Sequence, residues 1–139
     1  MAKVTGIGGV FFKAKTDHKA LSAWYENNLG MTLESFGAAI LRWTEDHAED
    51  KGATVWHTAA PDTDWFSPSS SSFMINYRVD DMAGILERLR SNDVPIQKGP
   101  EFHENGAFAW VMDPDGNKIE LWERPRVAQP RRIRCVYAA

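Results

Sequence analysis

Two cycles of alternating and helical patterning run along the chain. From Ile7 to Ala14, Val10 and Phe12 fall on one side and Gly9, Phe11 and Lys13 on the other, which predicts a strand. Thr16 or Asp17 can then cap a helix by accepting its unpaired N–H groups, and Leu21, Trp24, Tyr25 and Leu29 follow at helical spacing up to Gly30, a natural left-handed terminator. Strand-like runs come next at Ala38–Trp43 and Ala53–Thr58, joined by the polar stretch Glu45–Gly52 in the manner of a hairpin. After residues 61–72, rich in Pro and Ser, the cycle restarts. Phe73–Val79 reads as a strand, Asp80 or Asp81 as a cap, and Met82, Ile85, Leu86 and Leu89 as a helical stripe. Pro100–Gly106 reads as a loop, Ala107–Met112 as a strand, Asp113–Asn117 as a turn and Lys118–Glu123 as the last strand.

The cycles keep register. Asp81 lies 64 residues after Asp17, Gly116 lies 64 after Gly52, and Lys118–Trp122 lies 64 after Thr54–Thr58. This predicts one domain over 1–124 made of two modules, at about 4–60 and 73–124, with 61–72 as linker and 125–139 as a basic tail. Alternation further directs Ile75, Tyr77, Val79, Ile119 and Leu121 toward the helices. Met74, Asn76, Arg78, Lys118, Glu120 and Trp122 then face the opposite way, as do Thr54, Trp56 and Thr58 by the offset.

Composition narrows the function. A 139-residue chain with 43% hydrophobic residues, 25% charged residues and net charge −3 is an ordinary globular composition. Its mildly acidic balance offers nothing to a phosphate backbone, and no apolar run is long enough for a bilayer, so neither nucleic acid nor membrane is an expected partner. The lone Cys135 excludes an internal disulfide, and the opening residues lack a signal-peptide stretch, so the expected location is cytoplasmic. Residues 124, 126, 131, 132 and 134 of the tail region are arginines.

The order of elements, the Asp113-Pro114-Asp115-Gly116-Asn117 turn running into Ile119-Glu120-Leu121-Trp122-Glu123, the Trp24-Tyr25 helix ending at Leu29-Gly30, and the strand entering Val79-Asp80-Asp81 together resemble the vicinal oxygen chelate superfamily. That family includes glyoxalase I, fosfomycin- and bleomycin-resistance proteins and extradiol dioxygenases. The resemblance implies an α+β fold of two paired βαβββ modules whose mixed sheet curves into a cup around a small molecule. It also implies a divalent metal held by residues on the first and last strand of each module. Of those four positions only Glu120 matches; the others fall at Gly9 (or Val10), Trp56 and Met74. Glycine and tryptophan side chains do not ligate, and a thioether suits soft ions, so the usual metal centre is not favoured.

The expected cup is aromatic, with Trp56, Trp110 and Trp122 as stacking surfaces. Glu120 reads as a general base or a hydrogen-bond acceptor, the competing reading being a carboxylate paired with Arg78 or Lys118. Asn76 and Arg78 read as donors to a carboxylate or carbonyl, and His103 as a residue closing over the site. The leading expectation is therefore a superfamily member that binds a small organic molecule bearing a carboxylate or carbonyl in the sheet cup without the usual metal centre, a divalent metal not being favoured. One alternative is a metal-dependent lyase or dioxygenase using relocated ligands such as His57, His103 and Glu120. Another is a non-catalytic drug-sequestering or dimerisation module. A homodimer is expected, because a lone module leaves sheet edges and an apolar flank uncovered.

Overall fold

The computed structural model describes residues 2–3, 7–46 and 52–125. The tail from residue 126 on lies outside the described residues. Helix α1 (His18–Leu29) is capped by Asp17, whose carboxylate accepts from the N–H groups of Lys19 and Ala20 at 3.0 Å, and it ends at Gly30 with φ +72°. Helix α2 (Met82–Ser91) is capped by Asp81, which accepts from Gly84 N at 3.1 Å. Four strands complete the fold: β1 (Ile75–Arg78), β2 (Lys98–His103), β3 (Gly106–Met112) and β4 (Lys118–Glu123).

The strands form one sheet in the order β1-β4-β3-β2, with β1 parallel to β4 and the other pairs antiparallel. The second module is thus built as βαβββ. Both helices cover one face of the sheet. Leu21, Tyr25, Met82, Leu86 and Leu89 pack there against Ala107, Ala109, Val111, Ile119 and Leu121, all nearly water-free. Arg88 and Asn92 tie α2 to the end of α1, through Asn27 O at 3.0 Å and Asn28 Oδ1 at 2.9 Å.

The turn between β3 and β4 owes its residue types to Asp113. Its buried carboxylate accepts from the N–H groups of Asp115 and Asn117, from the Asn117 amide and from the Tyr25 hydroxyl, all at 2.8–2.9 Å. Burial, reinforced by neighbouring Tyr77 and Asp113, pushes the Tyr25 hydroxyl far above its ordinary pKa, so it is a permanent donor here. One motif thereby fixes the hairpin and docks α1 onto it.

Two expectations need correction. Pro100–Gly106 is not a loop: β2 runs through to His103, and only Glu104 and Asn105 turn before Gly106. The Gly99-Pro100 pair breaks the alternation with a bulge between Lys98 and Glu101, and β3 supplies the backbone partners that hold the strand regardless. In the first half, none of Ile7–Ala14, Ala38–Trp43 and Ala53–Thr58 forms a ladder among the described residues. A single bridge, Leu33 to Ala39, and a 3₁₀ turn at Trp43–Glu45 are found instead. These segments have strand patterning but no ladder partner among the described residues. Phe12 and Ala14 pack against the core, whereas most of the other large apolar side chains face water: Phe11 is 97% exposed and Trp43 86%. No helix among the described residues is long and apolar enough to cross a membrane.

Candidate functional site

The sheet face turned away from the helices carries three cross-strand rows. In the central row Asn76, Glu120 and Trp110 stand side by side on β1, β4 and β3, because the register pairs Glu120 with both neighbours. The next row is Arg78, Trp122 and Phe108, and Lys118 opposite Met112 belongs to the third. Strand alternation alone puts these side chains together.

Glu120 is held from both sides. One carboxylate oxygen accepts from Asn76 Nδ2 at 2.7 Å and the other from Trp110 Nε1 at 2.9 Å. Bonds of this type to an ionised acceptor are the stronger class, so the pair fixes both the carboxylate and the indole. Trp122 is anchored separately, donating to Asn105 O at 2.7 Å. Phe108 lies between the two tryptophans, its ring 6.3 Å from each and within 17° of parallel to both. The result is a three-ring floor, half-buried, with its indole nitrogens already satisfied.

Around the floor sits a small charged rim. Lys98 Nζ lies 5.1 Å from the Trp110 ring centre, a cation–π contact, and forms an ion pair with Glu101 at 3.3 Å. His103 meets Phe108 edge-on at 5.9 Å and hydrogen-bonds Glu101 through Nε2 at 3.1 Å. The His103 hydrogen bond first, and then Lys98, hold the Glu101 carboxyl below its ordinary pKa.

Arg78 does not meet Glu120. Its guanidinium pairs with Asp46 at 2.7 Å and donates to Ala53 O at 3.2 Å, bridging the two ends of the segment between those residues. Asn76 likewise has its amide on Glu120, so both groups expected to receive a ligand anion are already engaged within the protein. Trp56 is 78% exposed and lies off the ladder, and His57 stands edge-on to Trp65 at 5.4 Å. Sequence reasoning overlooked Phe108 and Lys98. The alternation of Phe108 with Trp110 in the predicted strand was the signal for the first, whereas the bulge in β2 hid the second.

Glu120 faces amide and indole N–H donors, and the other three positions implied by the resemblance are Gly9, Trp56 and Met74. That donor set does not fit a hard or borderline divalent ion. Among the described residues no three His, Cys, Asp or Glu side chains lie close enough together to hold a metal, and His57, His103 and Glu120 are not gathered into one cluster.

The family model of the Glyoxalase/Bleomycin resistance protein/Dioxygenase superfamily matches residues 13–121. The chain belongs to this superfamily. The fold of this superfamily member is also similar to that of solved structures. A protein from the mobile metagenome of V. Pseudocholerae shares 19% identity at TM-score 0.54, covering 88% of this chain and 97% of that one. An antibiotic-binding protein from a Streptomyces species shares 21% at TM-score 0.52, covering 87% and 99%. The genomically encoded fosfomycin resistance protein of Listeria monocytogenes shares 13% at TM-score 0.52, covering 87% and 94%. At these identities the likeness speaks for the fold alone. No curated protein sequence matches the chain.

Proposed function

We propose that this superfamily member binds a flat organic molecule on the Trp110–Phe108–Trp122 floor, with Glu120 as hydrogen-bond acceptor and without the divalent-metal centre of its metal-dependent relatives. The observation that carries the reading is the floor itself. Three nearly parallel rings on a solvent-facing sheet surface, two of them anchored through their indole N–H groups, present ready stacking area at little entropic cost. Stacking adds about 0.5–1.5 kcal/mol per ring pair beyond the burial of apolar area. The Arg78 guanidinium is turned to Asp46 and Ala53 O, whereas Lys98, though paired with Glu101, lies 5.1 Å from the Trp110 ring centre and is exposed, so it is the cation at the floor available to a carboxylate or carbonyl on the ligand's edge. Thermal-shift titration tests this. 2-Naphthoate should raise the melting temperature far more than its fully saturated analogue, and Trp110→Ala with Trp122→Ala should abolish the difference. Equal shifts from the flat and saturated acids would refute the reading.

We further infer a homodimer. Of the large apolar side chains exposed among the described residues, eleven of twelve lie between Ile7 and Phe73, in the half whose strands lack partners. The edge of β2 is guarded by Pro100 and a bulge, whereas among the described residues the outer edge of β1 has neither a proline nor a bulge nor a further strand, which makes β1 the edge suited to another strand. A second copy supplies segments of matching pattern. Light scattering should give a dimer at micromolar concentration, with Phe11→Glu shifting it toward monomer; a monomeric wild type would overturn this part of the proposal and leave the ligand reading standing.

A further inference from the structure

The anchor of Trp122 closes on a turn whose sequence is chemically unstable. Gly106 has φ +132°, and a Cβ there would drive into Glu123 O and the Trp122 indole, so no side chain fits at this position. The residue before it is Asn105, which makes Asn105-Gly106 the one Asn-Gly pair in the sequence. Asn105 is exposed in the turn between β2 and β3, and its main-chain oxygen accepts from Trp122 Nε1 at 2.7 Å. Its side-chain amide has no hydrogen-bond partner among the described residues, whereas those of Asn28, Asn76, Asn92 and Asn117 are held by other groups. Gly106 forms the last rung of the β2–β3 ladder, opposite His103, so the opening of one rung bares its nitrogen.

We propose that Asn105 is a self-modification site: its side chain cyclises onto the Gly106 nitrogen, and the isoaspartyl product releases Trp122 from its anchor. The unpartnered amide is free to swing toward the next main-chain nitrogen, and a glycine there offers no side chain to obstruct the approach. The Gly106 nitrogen forms a C–N bond to Cγ of Asn105, and its proton departs with the amide nitrogen as ammonia, closing a succinimide ring. Water, the only co-reactant, then opens the ring. Cleavage at the main-chain carbonyl routes the chain through the former side chain, lengthens it by a methylene and turns the old Asn105 carbonyl into a free carboxylate. Cleavage on the other side gives aspartate with the chain path unaltered. Nothing is oxidised or reduced. A turn of only Glu104 and Asn105 has no slack for an added methylene, and the oxygen that held Trp122 leaves the chain path. The ring beside Phe108 then loses its orientation, and a negative charge is added next to the Glu101–His103 pair.

Ageing the full chain in mildly alkaline buffer at physiological temperature tests both steps without any ligand. Peptide mass spectrometry follows each asparagine, and a protein isoaspartate methyltransferase reports the isoaspartyl product. Asn105 should convert while Asn27, which is also exposed but is followed by a side chain, remains an amide. The indole N–H resonance of Trp122, assigned by its absence from Trp122→Phe, should move with the same time course. Asn105→Gln keeps the main-chain carbonyl and resists cyclisation, so its Trp122 resonance should stay where it begins. If Asn105 converts no faster than Asn27, the modification is wrong. If it converts and the Trp122 resonance stays fixed, or if that resonance drifts equally in Asn105→Gln, the coupling to the anchor is wrong. Weakened 2-naphthoate binding by the aged protein is a consequence that rests on the reading of the floor as a ligand site; a floor that binds nothing would remove it and leave the modification standing.

Discussion

Replacing Glu120 with glutamine is the sharpest test of how the floor is organised. The carboxylate offers one oxygen to Asn76 and one to Trp110, at 2.7 and 2.9 Å. A glutamine amide offers a single oxygen, so whichever way it turns, its NH2 group faces another N–H donor. A hydrogen bond to a charged acceptor is worth about 1.5–3 kcal/mol, but Asn76 is exposed and water can replace part of the loss, which brings the expected cost to about 1 kcal/mol. For a domain of this size that lowers the melting temperature by about 4 °C. If the amide oxygen stays with Asn76, the Trp110 indole is released and its ring loses the orientation that makes it a stacking surface. A loss of about 1 kcal/mol on the ligand side weakens binding roughly fivefold. Asn76→Ala removes only one of the two bonds and leaves Trp110 anchored, so it should affect affinity less than Glu120→Gln does. Differential scanning calorimetry and isothermal titration with 2-naphthoate measure the two effects. A Glu120→Gln protein with unchanged melting temperature and unchanged affinity would show that the carboxylate does not position the floor, and the central row would have to be read as surface decoration.

Asp113→Ala strips four donors of their acceptor in a buried position, including the Tyr25 hydroxyl, and should cost about 3–5 kcal/mol; urea unfolding with a wild-type midpoint would contradict the docking role given to this turn. Arg78→Ala removes a partly buried ion pair with Asp46 and should cost about 1 kcal/mol in thermal unfolding, yet leave 2-naphthoate affinity unchanged, since the guanidinium is engaged away from Glu120. Because the Glu101 carboxyl is held below its ordinary value of 4.5 in the fold, its contribution to stability is complete above that pH and declines as pH falls below it toward the folded-state value. Urea midpoints measured down this range should therefore fall less steeply for Glu101→Gln than for the wild type, and parallel curves would remove Glu101 as a source of acid sensitivity.

Period and punctuation carried the second half of the chain from sequence to structure. The caps were readable to within one residue, as Thr16 or Asp17 and Asp80 or Asp81, because a short polar side chain before an apolar stripe has few better uses, and the structure uses Asp17 and Asp81; Ile75, Tyr77, Ile119 and Leu121 were readable as helix-facing because alternation leaves them no other side. The row of Asn76, Glu120 and Trp110 needed one more step, the ladder register, which the 64-residue repeat does not supply. Partners across long stretches of chain were not legible at all. Nothing in the pattern around Arg78 says that Asp46 lies against it, and the Lys98-Gly99-Pro100 run carries turn signals that the backbone of β3 overrides.

The first half poses the converse problem, since its periodicity is as good as that of the second and yet its segments form no ladder among the described residues. Alternation tells which side of a strand is apolar; it does not say which strand lies alongside. In the second half the connections answer that question within the chain, as the turns at Glu104–Asn105 and Pro114–Gly116 bring β2, β3 and β4 together in antiparallel contact and α2 carries β1 across to pair in parallel with β4. Phe11, Trp43, Val55 and Trp56 have strand patterning without such an answer, and stand between 78% and 97% exposed. A sequence that keeps this much apolar surface at strand spacing, beside a β1 edge that pairs with no further strand among the described residues, is patterned for a partner strand that those residues do not provide. If that partner comes from a second copy, the wall facing the aromatic floor is completed only on association. The affinity for 2-naphthoate should then fall on dilution below the dimerisation constant, and fall in Phe11→Glu to the same limiting value. An affinity independent of protein concentration would show that the floor, Glu120 and the Lys98–Glu101–His103 rim already make the whole site.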